Sequence, residues 1–235
     1  MPTETTDLAA ARSAHENRPA RVLLVANKAS RRGAELRSVV LDRLAREGLA
    51  VRTAEPNGRD AMAQAIAAAS ADVDAILVLG GDGTLNAAGP GLIAAGLPLG
   101  VLPGGTANDF ARTLGIAPDM DTAIDCILAG RTRAIDLGEV NGRPFFNVAS
   151  FGLSVALANA LTQETKKRWG VFAYSLAAFR ALMTAHAFRA EIDALGADGQ
   201  RTKARAKTWQ IAVGNGVYYG GGMGIRDDAQ IDHGR

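Results

Sequence analysis

The sequence predicts an α/β fold with two domains, an N-terminal doubly wound domain and a C-terminal, largely antiparallel β domain with inserted helices. Two observations predict the first domain: apolar runs of strand length alternate with segments of helical periodicity, and two runs end in glycine clusters. One observation predicts the second, since hairpin turns replace that alternation beyond about residue 133. We expect a flexible leader over residues 1–20, the α/β domain over 21–133 and the β-rich domain over 134–235.

The first domain contains four predicted strands, each an apolar run bounded by polar or glycine-rich segments. They cover Arg21–Ala26, Leu49–Thr53, Ala75–Leu79 and Leu97–Leu102. Helices fill the intervals, because apolar residues recur at helical spacing or alanine dominates. They cover the segment from Leu36 to a stop at Gly48, then Asp60–Ser70, Thr84–Ala95 and Asp119–Gly130. This order predicts a parallel sheet with right-handed crossovers.

The second domain begins with two predicted strands, Arg133–Val140 and Pro144–Ser150, joined by a turn at Asn141-Gly142. Asparagine followed by glycine is a strong signal for a two-residue hairpin turn. Two helices and two further strands follow, over Leu153–Thr165, Trp169–His186, Phe188–Ala194 and Arg201–Val213. The second of these helices is mostly apolar, so it either packs in the core or lines an acyl-chain cleft.

Composition and charge exclude several classes of function. The 235 residues are 48% hydrophobic, and a net charge of +2 gives no global attraction to nucleic acid, so no such partner is expected. The single cysteine, Cys126, excludes disulfides and cysteine-based zinc sites and favours a reducing cytoplasm. Prolines interrupt the uncharged stretch Gly83–Asn108, so no transmembrane segment is expected. The leader lacks the apolar core of a signal peptide.

The first glycine cluster follows the third predicted strand, in the run Gly80–Asn86, GGDGTLN. Its three glycines allow backbone N–H groups to approach phosphate oxygens, and Thr84 is placed to cap the next helix, whose N-terminus attracts anions. The carboxylate of Asp82 repels phosphate unless a divalent cation lies between them, which predicts a nucleoside triphosphate with Mg²⁺. A plain turn between strand and helix is the alternative.

The second glycine cluster ends the fourth predicted strand, in the run Leu102–Arg112, LPGGTANDFAR. Because loops at the carboxyl ends of successive parallel strands share one crevice, we expect the two clusters to face each other. Asp109 follows this cluster and Asp136 begins the second domain, so both are candidate neighbours of Asp82 in a carboxylate set that holds Mg²⁺ through water. The alternative for Asp109 is a helix cap before Phe110.

Basic residues have two candidate roles. No lysine lies in either glycine cluster, so backbone N–H groups and Mg²⁺ balance the phosphate charge, with Lys28, Arg31 and Arg112 as candidate contributors or as solvated surface residues. The second role concerns an alternating strand, in which every second residue from 201 to 207 is arginine or lysine. Its cationic face either meets anionic lipid headgroups or is a charged edge that resists aggregation.

Four segments carry a family resemblance. They are GGDGTLN at Gly80–Asn86, PGGTANDFAR at Pro103–Arg112, IDLGEVNG…FFNVASFG over Ile135–Gly152, and VGNGxxYGGG over Val213–Gly222. With them the chain resembles the bacterial diacylglycerol-kinase-like lipid kinases, from about Arg21 to its last residue. The first motif is shared with NAD kinases and, in part, with phosphofructokinases, whereas the second is typical of lipid kinases.

The resemblance implies that the first domain binds a nucleotide and that a lipid hydroxyl is phosphorylated between the two domains, with ATP and Mg²⁺ as cofactors. The predicted cofactor-binding residues, including both glycine clusters, are Thr53, Gly80, Gly81, Asp82, Gly83, Thr84, Asn86, Gly104, Gly105, Thr106 and Asn108. The predicted catalytic and metal-binding residues are Asp82, Asp109 and Asp136.

The chain departs from the family pattern at several positions. Asn27-Lys28 stands where the family has Asn-Pro, and Ala87 where it usually has glutamate. Family members continue further and place a catalytic glutamate there, whereas this sequence ends at Arg235, so we expect an incomplete second domain. The family also places a structural magnesium ion around the segment matching residues 230–235, where His233 replaces an expected aspartate.

The sequence-based hypothesis is a cytoplasmic lipid kinase, peripheral at the inner membrane face, that transfers the γ-phosphate of ATP to a lipid hydroxyl such as that of diacylglycerol. One alternative is a kinase for a soluble hydroxyl compound, as NAD kinases are. Another is a nucleotide-binding module without catalytic activity. A homodimer stays open.

Overall fold

A computed structural model describes residues 18–26, 31–153, 186–196, 199–224 and 229–232, with the backbone alone for residues 31–34. The described residues form two compact units. The first comprises the chain up to Asn147 together with Asn215–Asp232, and the second comprises Val148–Gly214. The predicted leader lies almost entirely outside the described residues.

A four-stranded parallel sheet forms the centre of the first unit. Its strands are β1 (Arg21–Ala26), β2 (Ala50–Ala54), β3 (Ala75–Gly80) and β4 (Leu99–Pro103). Their spatial order is β2-β1-β3-β4, and all neighbouring pairs are parallel. The chain therefore turns in opposite directions from β1 to β2 and from β2 to β3, and the carboxyl ends of β1 and β3 flank the crevice where such sheets bind ligands.

Helices cover both faces of this sheet. They are α1 (Arg31–Arg46), α2 (Arg59–Ala69), α3 (Asp82–Ala95), α4 (Asp109–Thr113) and α5 (Met120–Leu128). Alternate residues of β1 enter two separate cores, Leu23 and Val25 on the side of α2 and α3, Val22 and Leu24 on the side of α1 and α5. This alternation is the two-residue period of a strand that is buried on both faces. The predicted doubly wound α/β architecture is confirmed.

A hairpin follows α5 in the chain. Its strands are β5 (Gly138–Val140) and β6 (Arg143–Phe145), and Asn141 and Gly142 both have positive φ, 52° and 73°. Two such residues form the turn that matches the twist of a hairpin, so the predicted turn is confirmed. The first strand is shorter than predicted, because the N–H of Asp136 bonds to the carbonyl of Ile231 instead of a ladder partner.

The predicted boundary between domains near Ala134 stays a prediction. By contacts, residues 134–147 belong with the first unit. One reason is that the side chain of Asn86 in α3 accepts a hydrogen bond from the N–H of Phe146 at 3.0 Å. The chain leaves the first unit after Asn147 and returns at Asn215, where the N–H of Asn215 donates to the carbonyl of Asn147 at 2.6 Å.

Antiparallel strand pairs form the described part of the second unit. The strands are β7 (Val148–Gly152), β8 (Phe188–Leu195), β9 (Arg201–Thr208) and β10 (Gln210–Gly214). β7 pairs with β10 and β8 with β9, which confirms the predicted β-rich second part. The single strand predicted over Arg201–Val213 is broken, because the Thr208 hydroxyl bonds to both the N–H and the carbonyl of Gln210.

The returning segment of the first unit carries β11 (Tyr218–Tyr219) and β12 (Met223–Gly224), which pair antiparallel. The two helices predicted between residues 153 and 186, with the acyl-chain alternative for the second, lie almost entirely outside the described residues. Within the described ranges, every helix is too short or too polar to cross a bilayer.

Candidate functional site

The first glycine cluster lies at the carboxyl end of β3, where the sheet changes direction. Gly80 is the last residue of β3, Gly81 is the N-cap residue of α3, and the helix begins at Asp82. The predicted start at Thr84 is therefore wrong by two residues, and Thr84 does not cap the helix. It lies in the first turn, where its own N–H donates to the carbonyl of Gly81 at 2.9 Å. The unpaired N–H groups of that turn begin directly after the strand.

The two glycine clusters are in direct backbone contact. The N–H of Gly104 donates to the carbonyl of Gly80 at 2.9 Å. A Cβ added to Gly105 would lie 2.6 Å from the Cα of Gly81, a separation that real Cβ atoms do not adopt. Position 105 requires glycine, because any side chain there would push the two loops apart. The sequence-based expectation that the loops face each other agrees with this contact.

Asn108 holds the second cluster in its shape. Its side-chain oxygen accepts from the N–H of Gly105 and its side-chain amide donates to the carbonyl of the same residue, both at 2.9 Å. Asn108 has a positive φ of 51°, a conformation that asparagine tolerates better than most residues. It is the N-cap residue of α4, so Asp109 is the first residue of that helix and not its cap.

Asp82 joins three segments of the first unit. Its Oδ2 accepts from the N–H of Asp109 at 3.1 Å, and its Oδ1 accepts from the N–H of Phe110 at 2.9 Å. The side-chain amide of Asn147 donates to the same Oδ1 at 2.7 Å. A carboxylate at this position also lies at the N-termini of both α3 and α4, where the helix dipoles stabilise negative charge. Its contact with a metal ion stays a prediction.

Asp109 carries a buried carboxylate at the start of α4. The residue is only 4% exposed, and its Oδ2 accepts a hydrogen bond from the N–H of Gly221 at 2.9 Å. Its Oδ1 has no hydrogen-bond donor among the described residues, and the same is true of the Oδ1 of Asn147, a residue that is 6% exposed. Buried oxygens without donors are uncommon, and they indicate a place for water, a ligand or a cation.

Asp136 is held through its backbone near the returning segment. Its N–H donates to the carbonyl of Ile231 at 2.7 Å, and its carbonyl accepts from the side-chain amide of Asn215 at 2.9 Å. In the described part of the chain, no three acidic, histidine or cysteine side chains are grouped so that they could hold one ion. The predicted set of Asp82, Asp109 and Asp136 around Mg²⁺ stays a prediction.

The other predicted site residues occupy varied positions. Gly83 is exposed in the first turn of α3, Thr106 is exposed in the second glycine cluster, and Thr53 is exposed in β2. Arg112 lies over the ring of Tyr218, with its guanidinium carbon 5.9 Å from the ring centre. Three further residues lie outside the described residues or side chains. They are the basic candidates Lys28 and Arg31, and His233 at the metal position that the resemblance implies.

Two asparagines connect the site to the rest of the first unit, and the sequence-based analysis assigned neither a role. Asn147 donates to Asp82, and Asn215 donates through one amide group to the carbonyls of both Asp136 and Phe146. Each lies inside a motif that carried the family resemblance, FFNVASFG for Asn147 and VGNG for Asn215. A polar residue between the apolar residues Phe146 and Val148 is the signal that could have found Asn147, whereas Asn215 lies between two glycines and carries no comparable signal.

The chemistry available here is that of an anion site next to fixed carboxylates. The N–H groups at the start of α3 that have no intrahelical partner are donors for phosphate oxygens, whereas the N–H groups of Gly104 and Gly105 are already bonded to the carbonyl of Gly80 and to Asn108. Carboxylate and amide oxygens supply the hard ligands that Mg²⁺ prefers. A loop pair of this kind positions a polyphosphate and offers acceptors beside it, without supplying a nucleophile of its own.

Comparisons with family models and with individual proteins indicate the same family. The family model of the diacylglycerol kinase catalytic domain matches residues 21–140, and that of the YegS C-terminal NAD kinase beta sandwich-like domain matches residues 147–235. A diacylglycerol kinase of Bacillus subtilis (strain 168) is 34% identical over 178 residues, which cover 74% of this chain and 57% of that protein. A protein of Klebsiella pneumoniae (strain 342) named "Probable lipid kinase YegS-like" is 31% identical over 166 residues, covering 69% and 54%.

Solved structures agree with this result. A crystal structure titled as a diacylglycerol kinase from Bacillus anthracis str. Sterne has a TM-score of 0.68 and 28% sequence identity, covering 92% of this chain and 71% of that one. The chain spans about half the length of the sequence relatives that it matches, 53% to 57% for three of them. With a family model matching residues 21–140 of 235, the chain belongs to the diacylglycerol kinase catalytic domain family.

Proposed function

We propose that this chain is the ATP-binding and catalytic part of a lipid kinase, which transfers the γ-phosphate of ATP to a lipid hydroxyl such as that of diacylglycerol. The observation that carries the proposal is the backbone contact between Gly81 and Gly105, next to the buried carboxylate of Asp109. Membership of the family and the printed names of its relatives support a lipid as the acceptor.

In this proposal the loops bind the phosphates of ATP through backbone N–H groups. The first turn of α3 directs its unpaired N–H groups away from the helix, and the exposed Gly83 leaves that turn open to a ligand. Because positioning supplies much of the catalysis of phosphoryl transfer, the direct contact between the loops matters more than any single side chain in them.

The two carboxylates have different roles in the proposal. Asp82 has three N–H donors and fixes the start of α4, so it sets the geometry of the site and contributes negative charge. Asp109 has one oxygen bound to the N–H of Gly221 and one oxygen for which the described residues supply no donor, so it is the better acceptor for the proton of an attacking hydroxyl.

Magnesium fits the donors that this site presents. The unpaired Oδ1 atoms of Asp109 and Asn147 are a carboxylate and an amide oxygen, both hard ligands. We propose that Asn147 and Asp82 hold Mg²⁺ directly or through water, and that Asp109 contacts the ion only through water, so that its Oδ1 stays available as the proton acceptor. When bound, the ion neutralises charge on the phosphates during transfer.

The proposed place of action is the cytoplasmic face of the membrane, where a lipid hydroxyl and ATP meet. The lone cysteine suits a reducing compartment, since Cys126 is free and exposed. Access to the lipid then requires peripheral association of the protein with the membrane.

The test uses γ-labelled ATP, Mg²⁺ and mixed bacterial lipids, with label measured in the organic and aqueous phases. We expect label in the organic phase with the unchanged chain, and at least a ~100-fold lower rate with Asp109→Asn, because that change removes the proposed proton acceptor without changing its shape. The matched control is Asp42→Asn on α1, an exposed residue, which should leave the rate unchanged.

Three outcomes would contradict the proposal. Label confined to an aqueous product would favour the soluble-acceptor kinase. ATP binding with no labelled product in either phase would favour a nucleotide-binding module. An unchanged rate for Asp109→Asn would remove Asp109 from the mechanism.

A further inference from the structure

The pair β8 and β9 in the second unit has one strongly charged face. The register places Asp193 opposite Lys203, Glu191 opposite Arg205 and Arg189 opposite Lys207. Because alternate residues of a strand point to the same face, these side chains share one face of the pair. The face defined by these alternate positions, here named the basic face, consists of Arg189, Glu191, Asp193, Leu195, Arg201, Lys203, Arg205 and Lys207.

The basic face has more cations than its acids can neutralise. Asp193 pairs with Arg201 at 3.2 Å and with Lys203 at 3.7 Å, and Glu191 pairs with Arg205 at 2.8 Å. Five cations thus stand against two carboxylates. The cations are also well exposed, with Arg205 showing 85% of its side chain to solvent.

One cross-strand pair on this face opposes folding. Arg189 and Lys207 are directly opposite each other in the register, and like charges in that arrangement destabilise a strand pair. A charged edge that only prevents aggregation needs no such pair, because the other cations already cover the strand. The excess of cations therefore calls for an explanation beyond protection of the strand edge.

Two exposed apolar side chains accompany the cations. Leu195 is 70% exposed at the Arg201 end of the face, and Trp209 is 61% exposed directly after β9. Tryptophan is favoured at membrane interfaces because its ring is apolar while its N–H is polar. Cations flanked by exposed apolar side chains suit a surface that is anionic outside and apolar beneath.

We propose that the basic face binds the membrane through anionic lipid headgroups, with Leu195 and Trp209 entering the interface. The choice of a lipid surface over another polyanion rests on these two side chains and on the proposed lipid-kinase function. The cation excess supplies the electrostatic attraction, which acts within about one Debye length of the surface. The two carboxylates weaken this attraction and keep the binding reversible.

The test measures co-sedimentation of the full chain with vesicles, in the absence of ATP. One set of vesicles contains equal parts of phosphatidylglycerol and phosphatidylcholine, and the other contains phosphatidylcholine alone. No turnover is measured in this experiment, so an absence of vesicle binding would not contradict the proposed lipid-kinase reaction. In the same way, an absence of labelled lipid in the labelling experiment would not contradict membrane binding by the basic face. We expect binding to the anionic vesicles only, with a steep loss as salt is raised.

Two double variants move the expected binding in opposite directions. Arg189→Gln with Lys207→Gln should lower the partition to anionic vesicles by about 30-fold, since each cation near the surface contributes roughly fivefold. The same change relieves a like-charge pair, so the fold should not suffer. Glu191→Gln with Asp193→Asn should raise the partition by a similar factor. If this face were only a solvent-exposed charged surface, neither double variant would change vesicle binding.

The matched control removes the same charge elsewhere. Arg46 and Arg59 are exposed cations of the first unit, and the double variant with both changed to glutamine should bind within about twofold of the unchanged chain. Trp209→Ser should lower binding severalfold without altering charge. Equal binding of both charge variants and the control would overturn the proposal. Tighter binding to duplex DNA than to anionic vesicles at the same salt would also overturn it, in favour of nucleic acid.

Discussion

The two ends of β3 carry aspartates with the same kind of hydrogen-bond environment. Asp74 immediately precedes the strand and Asp82 follows it, and each accepts from two consecutive backbone N–H groups and one side-chain N–H. The donors to Asp74 are Ala20 N at 3.1 Å, Arg21 N at 2.8 Å and Arg21 Nη2 at 2.7 Å. The donors to Asp82 are Asp109 N at 3.1 Å, Phe110 N at 2.9 Å and Asn147 Nδ2 at 2.7 Å.

The third donor makes the difference. At Asp74 it is a guanidinium, which neutralises the carboxylate and lowers its pKa, chiefly through the side-chain hydrogen bond from Arg21. At Asp82 it is the neutral amide of Asn147, and no cation pairs with Asp82 in the described residues. At the amino end of the sheet, the three hydrogen bonds to Asp74 hold β1 and β3 together and do no more. At the carboxyl end, the three hydrogen bonds to Asp82 fix a carboxylate without neutralising its charge.

The largest effect is expected from removing the charge at the carboxyl end. Asp82→Asn leaves one acceptor oxygen for three N–H donors, so at least one donor loses its partner or meets another N–H. We expect the free energy of unfolding to fall by about 2–4 kcal/mol and phosphoryl transfer to fall by at least about 100-fold. Urea unfolding and the labelling assay measure the two effects separately. If Asp82→Asn kept both native stability and full turnover, the proposed difference between Asp82 and Asp74 would be wrong, and Asp82 would only be part of the turn between strand and helix.

A smaller effect is expected from separating the two loops at that end. In Gly105→Ala the new methyl group would meet the Cα of Gly81 at 2.6 Å and the side-chain oxygen of Asn108 at 2.8 Å. We expect a loss of about 1–3 kcal/mol in stability and a clear loss of ATP affinity, measured by calorimetric titration.

Gly83→Ala is the matched control for the loop contact. A Cβ at Gly83 has no heavy atom within 4 Å, and alanine favours the helical conformation of this residue by up to about 1 kcal/mol. Stability should be kept or improved, so any loss of ATP affinity in this variant measures how closely the nucleotide approaches. Equal ATP affinity in Gly105→Ala and the unchanged chain would show that the contact between loops is not needed for binding.

The smallest effect is expected at the amino end. Asp74→Asn removes a half-exposed ion pair and should cost about 1 kcal/mol at neutral pH, with turnover unchanged. The pKa of Asp74 is lowered in the folded protein, so its contribution is full above the ordinary aspartate pKa of about 4 and is lost as the pH falls through the lower folded value. Urea unfolding at several pH values should therefore show the two proteins converging below about pH 4. A constant difference down to pH 2 would contradict this assignment.

Local patterns predicted the elements that depend on local physics. The four parallel strands followed from apolar runs of strand length, and the Asn141-Gly142 turn followed from two residues that accept positive φ. The contact of the two glycine loops followed from topology, because loops after successive parallel strands share one edge of the sheet.

What could not be predicted depends on partners distant in the chain. The donors to Asp82 include Asn147, 65 residues away, and nothing near Asp82 in sequence indicates that its oxygens are already bound. The start of α3 at Asp82 instead of Thr84 reflects the extended backbone of Gly81, a choice that glycine alone does not reveal. The break in the strand at Trp209 depends on the rotamer of Thr208.

The bond between Asn147 and Asn215 has a consequence for how the two units are connected along the chain. The first unit is interrupted once and resumed at these two residues, whose backbones meet at 2.6 Å. Because the points of departure and return are adjacent, residues 148–214 leave and rejoin the first unit at one place, with the connectivity of an insertion. The backbone of the first unit is therefore closed by the bond between these two residues, whatever sequence residues 148–214 carry.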